Sequence, residues 1–393
     1  MQKVTVVGGC GHVGLPLSLV LADNGYLVSA LDVNEEAISR VNRCIMPFNE
    51  DQAQDILNKV ITNQSFSATS DPEVISKSDY VILVIGTPVD EFLNPNPNEL
   101  TNAITPLIKY FKSHQHIILR STVFPEVTKN LEKQLSEQIP GITVSFCPER
   151  IAEGQAIKEI VSLPQIIGAN DSKSFSLAEK LFSSIGVQTI RTGTTEAELA
   201  KLFTNSWRYI KFATSNQFFM LANGMGLDYE KIRLAITKDY PRASDIPSQG
   251  FTAGPCLLKD TMQLAAFSNN TFSLGNSAML INEGLPVFLV NQIEKKFNLS
   301  QMKVGILGMA FKANLEDTRS SLSYKLKKIL EFKSKEVLCA DKLVNDRKLV
   351  DERVVIDECD LIIIATGHDH YRNLVAKSPV IDVWNIRNKG IGI

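Results

Sequence analysis

One cysteine, Cys256, stands in GFTAGPCLLKDT (residues 250–261), after a run of small residues and shortly before Lys259 and Asp260. A thiol there can be a small packed side chain, since free cysteine is among the most buried residue types. It can equally be a nucleophile, with neighbouring charge favouring thiolate and small residues admitting a bulky substrate. Two further pairs have suggestive spacing. Lys201 and Asn205 lie four apart on a predicted helix and so share a face. Glu149 and Glu153 lie four apart in CPERIAEG, at the carboxyl end of a predicted strand, where open α/β sheets place ligands. Alone, the first pair reads as a solvated helix face and the second as two exposed glutamates. Together the three clusters supply what oxidation of an alcohol to an acid requires. A thiolate traps an intermediate aldehyde, donors stabilise an oxyanion, and a carboxylate directs water at a thioester.

Gly9-Cys10-Gly11-His12-Val13-Gly14 follows the run VTVV and opens a helix-like stretch, and Asp32 ends the next apolar run 18 residues after the last glycine. Strand, turn, helix and acid are the context that gives the GxGxxG pattern meaning. One glycine makes the tight turn, the next admits a pyrophosphate to amides at a helix N-terminus, and the third lets helix and strand pack closely. Asp32 would accept from the adenosine ribose hydroxyls, and its charge repels a 2′-phosphate, so the pattern predicts NAD over NADP. The alternative is a tight glycine turn with no ligand.

The elements that must position these residues follow a clear order. VTVVGG, YLVSALD, YVILVIGT, HIILRST, ITVSFC and PQIIGA alternate with helix-like stretches, the mark of βαβ units and a parallel sheet. EAELAKLFTNSWRYIKFATSNQFFMLANGMG then reads as one long helix ended by glycines at 224 and 226. A second helical stretch (274–297) precedes the strand-like KVGILG, EVLCAD, DLIIIAT and PVIDVW. The predicted class is α/β: two Rossmann-like doubly wound domains (1–195 and 300–393) joined by a central helical domain (196–299). The second α/β part lacks the glycine signature of the first.

A chain of 393 residues, 44% of them hydrophobic, is too large for one ordinary core. Its 41 basic and 43 acidic residues form no basic tail or stripe, which argues against nucleic acid or an anionic membrane as partner. No apolar run approaches the ~18 residues that span a bilayer, and MQKVTVVGG reads as a strand, so a cytoplasmic location is expected. Six cysteines without a CxxC pair and five histidines without HExxH spacing predict neither a disulfide framework nor a metal site.

Taken in order, GGCGHVGLP, VIGTP (84–88), RSTV (120–123), CPERIAEG (147–154), ELAKLFTN (198–205), GPCLLKD (254–260) and GILGMAFKANLEDTR (305–319) resemble the motifs of the nucleotide-sugar 6-dehydrogenases, the UDP-glucose/GDP-mannose dehydrogenase family. The resemblance implies a four-electron oxidation. Two NAD+ in turn take hydride from C6 of a nucleotide sugar, and the acid leaves from a cysteine thioester, supplying surface-polysaccharide precursors. Matched motif by motif, it makes Cys256 the nucleophile, Lys201 and Asn205 the oxyanion donors, Asp260 and Thr122 the residues that hold or activate a water, and Glu149 the base in thioester hydrolysis. It sets Gly9, Gly11, His12, Val13, Gly14 and Asp32 against the cofactor, Thr87 and Glu153 near its nicotinamide half, and Arg319 near cofactor and domain interface. Phe311 and Lys312 would hold the nucleotide part of the substrate, and Arg242 would contact substrate from a neighbouring subunit. Pairing through the central helices implies a homodimer or an assembly of dimers.

CPER, and PRAS ahead of the cysteine, resemble the UDP-N-acetylmannosamine branch, which makes a UDP-N-acetylhexosamine the expected substrate, with UDP-glucose or GDP-mannose as alternatives. Two features depart from the family pattern. GFTAGPC stands where the family reads close to GFGGxC, with Thr252 and Ala253 altering the run of glycines, and Cys44 stands where a glycine is common. A β-hydroxyacid dehydrogenase, with the same amino-terminal fold but a single two-electron step, is a competing reading. A non-catalytic NAD or nucleotide-sugar sensor is another, and the intact Cys256, Lys201, Asn205 and Asp260 set argues against it.

Overall fold

The β-branched runs near the amino terminus form strands whose alternate side chains enter two different apolar clusters. Val4, Val6, Val28, Ala30, Ile82 and Ile118 face one way, packing with Leu15, Leu19 and Leu21 of the helix Gly14–Asp23. Val81, Leu83, Ile117, Leu119, Val144 and Phe146 face the other. Burial on both faces is what a parallel sheet flanked by helices requires. The computed structural model describes residues 1–87 and 98–393, so Pro88 of the VIGTP motif lies outside the described residues. The chain divides into two compact units, Met1–Thr204 and Asn205–Ile393.

The first unit holds β1 (Lys3–Val7), β2 (Leu27–Leu31), β3 (Phe66–Thr69), β4 (Tyr80–Leu83), β5 (His116–Leu119), β6 (Thr143–Phe146), β7 (Gln165–Gly168) and β8 (Thr189–Thr192). They form one sheet in the order β3-β2-β1-β4-β5-β6-β7-β8. Pairing is parallel from β3 to β6, turns antiparallel where Phe146 meets Gly168, and is parallel again between β7 and β8. The carboxyl ends of β1, β2, β4, β5 and β6 therefore share one edge. Gly9–Gly14, Asp32, Thr87, Thr122 and Glu149 all follow those ends. Because β1 lies between β2 and β4, the chain leaves it in opposite directions, the switch point where open α/β sheets bind ligands.

The long helix Thr194–Gly224 begins in the first unit and continues into the second. The second unit adds the helices Leu257–Phe267 and Ser273–Glu294 and a parallel sheet of β9 (Lys303–Leu307), β10 (Glu336–Ala340), β11 (Leu361–Ile364) and β12 (Val380–Asp382). Its order, β10-β9-β11-β12, puts β9 at a switch point of the same kind as β1. Two mainly parallel sheets and a long central helix are the predicted α/β class. Among the described residues, no helix is long and apolar enough to cross a membrane.

Candidate active site

After β1 the Gly8 and Gly9 amides donate to the Leu31 carbonyl at 2.8 and 3.1 Å, folding the turn against the end of β2. A Cβ on Gly14 would lie 2.1 Å from the Gly8 carbonyl oxygen, so only glycine lets the helix start there, with Val13 as its N-cap. Above Gly11 a Cβ would meet only the Gly8 oxygen, at 3.6 Å, so the turn presents an open cradle at a helix N-terminus. Asp32 accepts the Cys10 amide through Oδ2 at 2.9 Å and the Asn34 amide through Oδ1 at 3.0 Å. Each oxygen retains a lone pair for a ribose hydroxyl, and the turn fits NAD. The Cys10 thiol is buried and pushed up to about 12, by burial first and then by the Asp32 charge, so this cysteine packs and does not react. His12 stacks on Phe48 with ring centroids 4.1 Å apart.

At the ends of β4 and β5, the Thr87 hydroxyl donates to the Thr122 carbonyl at 2.5 Å, joining two predicted site residues. Glu149, after β6, is 8% exposed. Its Oε2 pairs with Arg120, and its Oε1 accepts the Arg150 and Ile151 amides at 2.7 and 2.9 Å. Arg120 is buried and also donates to Gln165 Oε1 at 2.7 Å. One lone pair on Oε2 remains for further chemistry. Downstream, the Ala152 amide donates to Glu159 at 2.6 Å, and the Gly154 and Ala156 amides donate to Glu50 at 2.9 and 2.6 Å. Glu153 is thus carried on a segment whose amides end on three carboxylates. Arg120 and Glu50 escaped the sequence reading. Arg120 was visible in the RSTV motif, whereas nothing local to CPERIAEG points to Glu50.

Glu198, near the start of the long helix, accepts the Glu126 and Thr128 amides at 2.7 and 2.8 Å and the Thr128 hydroxyl at 2.5 Å. It caps the helix Val127–Gln138, whose own N-cap, Glu126, makes no side-chain bond. Lys201 follows, half-buried, three residues along the same helix. One turn further, buried Asn205 donates to Asp260 Oδ2 at 2.5 Å. Asp260 is fully buried, and its Oδ1 lies 3.3 Å from Lys259 Nζ without receiving a well-directed hydrogen bond among the described residues. Asp260 is thus a buried carboxylate with one oxygen hydrogen-bonded to Asn205 and the other ion-paired with Lys259.

Cys256 is exposed and immediately precedes the helix Leu257–Phe267, where positive partial charge favours an anion. Its carbonyl accepts the Asp260 amide at 2.9 Å. The small residues before it have a packing reason as well. Gly254 has φ +101°, and a Cβ there would lie 2.6 Å from the Phe311 ring; one on Gly250 would lie 2.4 Å from Trp384. Thr252 is 5% exposed and Ala253 packs on the core of the second sheet, so both departures from the family pattern point inward. The Gly254–Phe311 contact brings the cysteine loop to the turn after β9. Phe311 and Lys312 are half-buried there, and the Phe311 amide donates to the Asp317 carbonyl at 2.8 Å. The Arg319 side chain is 54% exposed and bonds Asp317 at 2.8 and 2.5 Å, while Arg242 stands exposed in the turn Pro241–Ala243. Nearby, a cleft of about 600 Å³ is lined by Glu316, Thr318, Tyr324 and Leu343–Lys348. Among the described residues, no group of three or more His, Cys, Asp or Glu is placed to hold a metal ion.

Known proteins resemble this chain along nearly its whole length. The NAD binding domain of the UDP-glucose/GDP-mannose dehydrogenase family matches residues 2–186, its central domain 195–284 and its UDP binding domain 305–389. A UDP-N-acetyl-D-mannosamine dehydrogenase of Methanocaldococcus jannaschii is 30% identical over 99% of this chain and 90% of its own. That of Pyrococcus horikoshii is 31% identical over 95% and 91%. A solved UDP-D-ManNAc dehydrogenase from Pyrococcus horikoshii superposes with a TM-score of 0.91 at 29% identity, over 98% of this chain and 96% of that one. A UDP-glucose dehydrogenase from Pyrobaculum islandicum superposes nearly as well, TM-score 0.90 at 22% identity over 98% and 95%, and so speaks for the fold alone. With its dinucleotide turn, its central helix and its second sheet each matched, the chain belongs to the UDP-glucose/GDP-mannose dehydrogenase family and is an NAD-dependent oxidoreductase.

Proposed function

We propose that this enzyme oxidises the C6 hydroxyl of a UDP-N-acetylhexosamine, N-acetylmannosamine foremost, to the uronic acid through a thioester on Cys256, for a surface-polysaccharide precursor. NAD supplies the hydride acceptor. The observation that carries the reading is the exposed Cys256 at a helix N-terminus, one turn from a buried Asp260 that is locked to Asn205. Cys256 adds to the aldehyde carbon to give a thiohemiacetal, whose oxidation leaves the thioester. Asn205 and Lys201 stabilise the oxyanion, and Asp260 orients a water together with Thr122. Glu149 takes the proton of that water on its remaining lone pair, and thioester hydrolysis returns the thiol. Thr87 and Glu153 serve the nicotinamide half, Arg319 the cofactor side, Phe311 and Lys312 the nucleotide, and Arg242 a neighbouring subunit's substrate.

The N-acetylmannosamine assignment is supported by the names of the 30% and 31% identical relatives together with CPER and PRAS. A homodimer is supported by the apolar side chains that the helical part exposes: Trp207 at 57%, Leu221 at 61% and Leu280 at 70%. The decisive experiment counts NADH per sugar across a panel of UDP- and GDP-sugars, in the wild type and in Cys256→Ala. Two NADH per sugar are expected from the wild type, and no acid from Cys256→Ala, with NAD binding intact. One NADH per substrate would favour the β-hydroxyacid reading, and normal turnover of Cys256→Ala would remove the thioester.

A further inference from the structure

At the carboxyl edge of the second sheet lies a buried pair that the chemistry above does not use. Asp341, directly after β10, is 4% exposed, and His368, after β11, is fully buried. Asp341 Oδ2 accepts the Met309 and Ala310 amides at 2.7 and 3.0 Å and meets His368 Nε2 at 3.0 Å, while Oδ1 accepts the Leu343 amide at 3.0 Å. The Asn314 amide, which can only donate, reaches His368 Nδ1 at 2.8 Å. Nδ1 is therefore an acceptor, and the imidazole proton sits on Nε2 and is donated to Asp341. Burial alone would raise the Asp341 carboxyl, but the bonds from His368 and the two amides outweigh it and hold it below the usual range. Thr366 closes the third side, donating to the Ala310 carbonyl at 2.6 Å.

Asp341 occupies the place in this sheet that Asp32 occupies in the first, at the end of the strand beside the switch-point strand. Asp32 is half-buried and retains acceptor capacity. Asp341 takes three of its four N–H donors on Oδ2 and one on Oδ1, and it is buried, so its carboxylate serves its own chain first. Its anchors bracket Phe311 and Lys312, with Met309 and Ala310 before them and Asn314 after.

We propose that His368 and Asp341 are positioning residues for nucleotide recognition, fixing the 308–314 turn so that Phe311 and Lys312 meet the nucleotide in one geometry. The inference rests on the reading that those two residues hold the nucleotide. The test is calorimetric titration of UDP, and separately of NAD, into full-length wild type, Lys312→Ala, His368→Ala, His368→Gln and Asp341→Asn, with KM and kcat for the nucleotide sugar. Gln places its amide nitrogen near the Nε2 position and keeps the donor to Asp341. His368→Ala and Asp341→Asn should weaken UDP and raise KM about tenfold, as for one lost charge-assisted hydrogen bond, with kcat and NAD affinity nearly unchanged and His368→Gln close to wild type. If His368→Ala does not fold, His368→Asn, which keeps the acceptor for Asn314 and loses the donor, carries the same expectation. Wild-type UDP affinity in His368→Ala and Asp341→Asn, beside a loss in Lys312→Ala, overturns the proposal and leaves the nucleotide reading standing. An unchanged Lys312→Ala overturns that reading and the proposal with it. Equal losses of UDP and NAD affinity mark a general structural role and overturn the proposal alone.

Discussion

The Asp32 carboxylate divides its oxygens between two amides of its own chain and keeps a lone pair on each. Asp32→Ala removes both the acceptors and the charge that repels a 2′-phosphate. The ratio of kcat/KM for NAD over NADP should fall about tenfold or more, and an unchanged ratio would put the ribose elsewhere. His116 gives a pH prediction of a different kind. Its ring lies between Thr143 and Ser145 at 2.8 and 3.0 Å, and burial pushes it from its ordinary 6.5 down to about 4. Below 6.5 the unfolded chain takes up a proton that the folded chain refuses until about 4, so stability falls as the pH drops through that window. Between pH 7 and 5, wild type should lose more stability to urea than His116→Gln, by at most about 1.4 kcal/mol per pH unit. Equal losses would clear His116. At this scale the sequence is informative where local spacing alone sets a residue's place, as for the cysteine ahead of its helix, the glycine turn and Asp32 at the end of β2. It shows Arg120 in its motif but not its pairing with Glu149, 29 positions away.

Two helices beside the site lack a local cap and receive one from far along the chain. Gln155 and Glu126, the N-caps of Ala156–Ser162 and Val127–Gln138, make no side-chain cap bond, and Glu50 and Glu198 fill the places. A search along the sequence for a capping residue next to each helix cannot find such an arrangement. Burial pushes the Glu198 carboxyl up and its bonds to Thr128 pull against that, with burial prevailing. Glu198→Ala should cost about 1–3 kcal/mol, the loss of a cap that satisfies buried amides, read as a lower urea midpoint, with Glu198→Gln between it and wild type. A midpoint unmoved in Glu198→Ala would show that the cap contributes nothing. The strands show a similar limit. The sequence reading passed over β3 (FSAT) and β8 (TIRT), the two edges of the eight-stranded sheet. An edge strand has a neighbour on one side only and needs no continuous apolar run, so its pattern does not stand out from a loop, whereas the inner strands β4 and β5 are buried at every position.

For the whole molecule, the two mainly parallel sheets and the long helix follow from the alternation of apolar runs and from one unbroken helical stretch. The exposed apolar side chains of the helical part carry the prediction at this scale. Wild type should sediment at about twice the 43.5 kDa chain mass or a multiple of that, and Trp207→Glu combined with Leu221→Glu should shift it toward the single chain, since a charge without a partner is costly in an apolar interface. A double variant that sediments as wild type would move the interface elsewhere. The remote carboxylate of Glu50 has a further consequence, for the breathing of the fold. Its partners, the Gly154 and Ala156 amides, lie 104 and 106 positions from it. Their protons can be traded for deuterons only when the chain around Glu50 lifts away, so two stretches that share no sequence neighbourhood should gain and lose protection together.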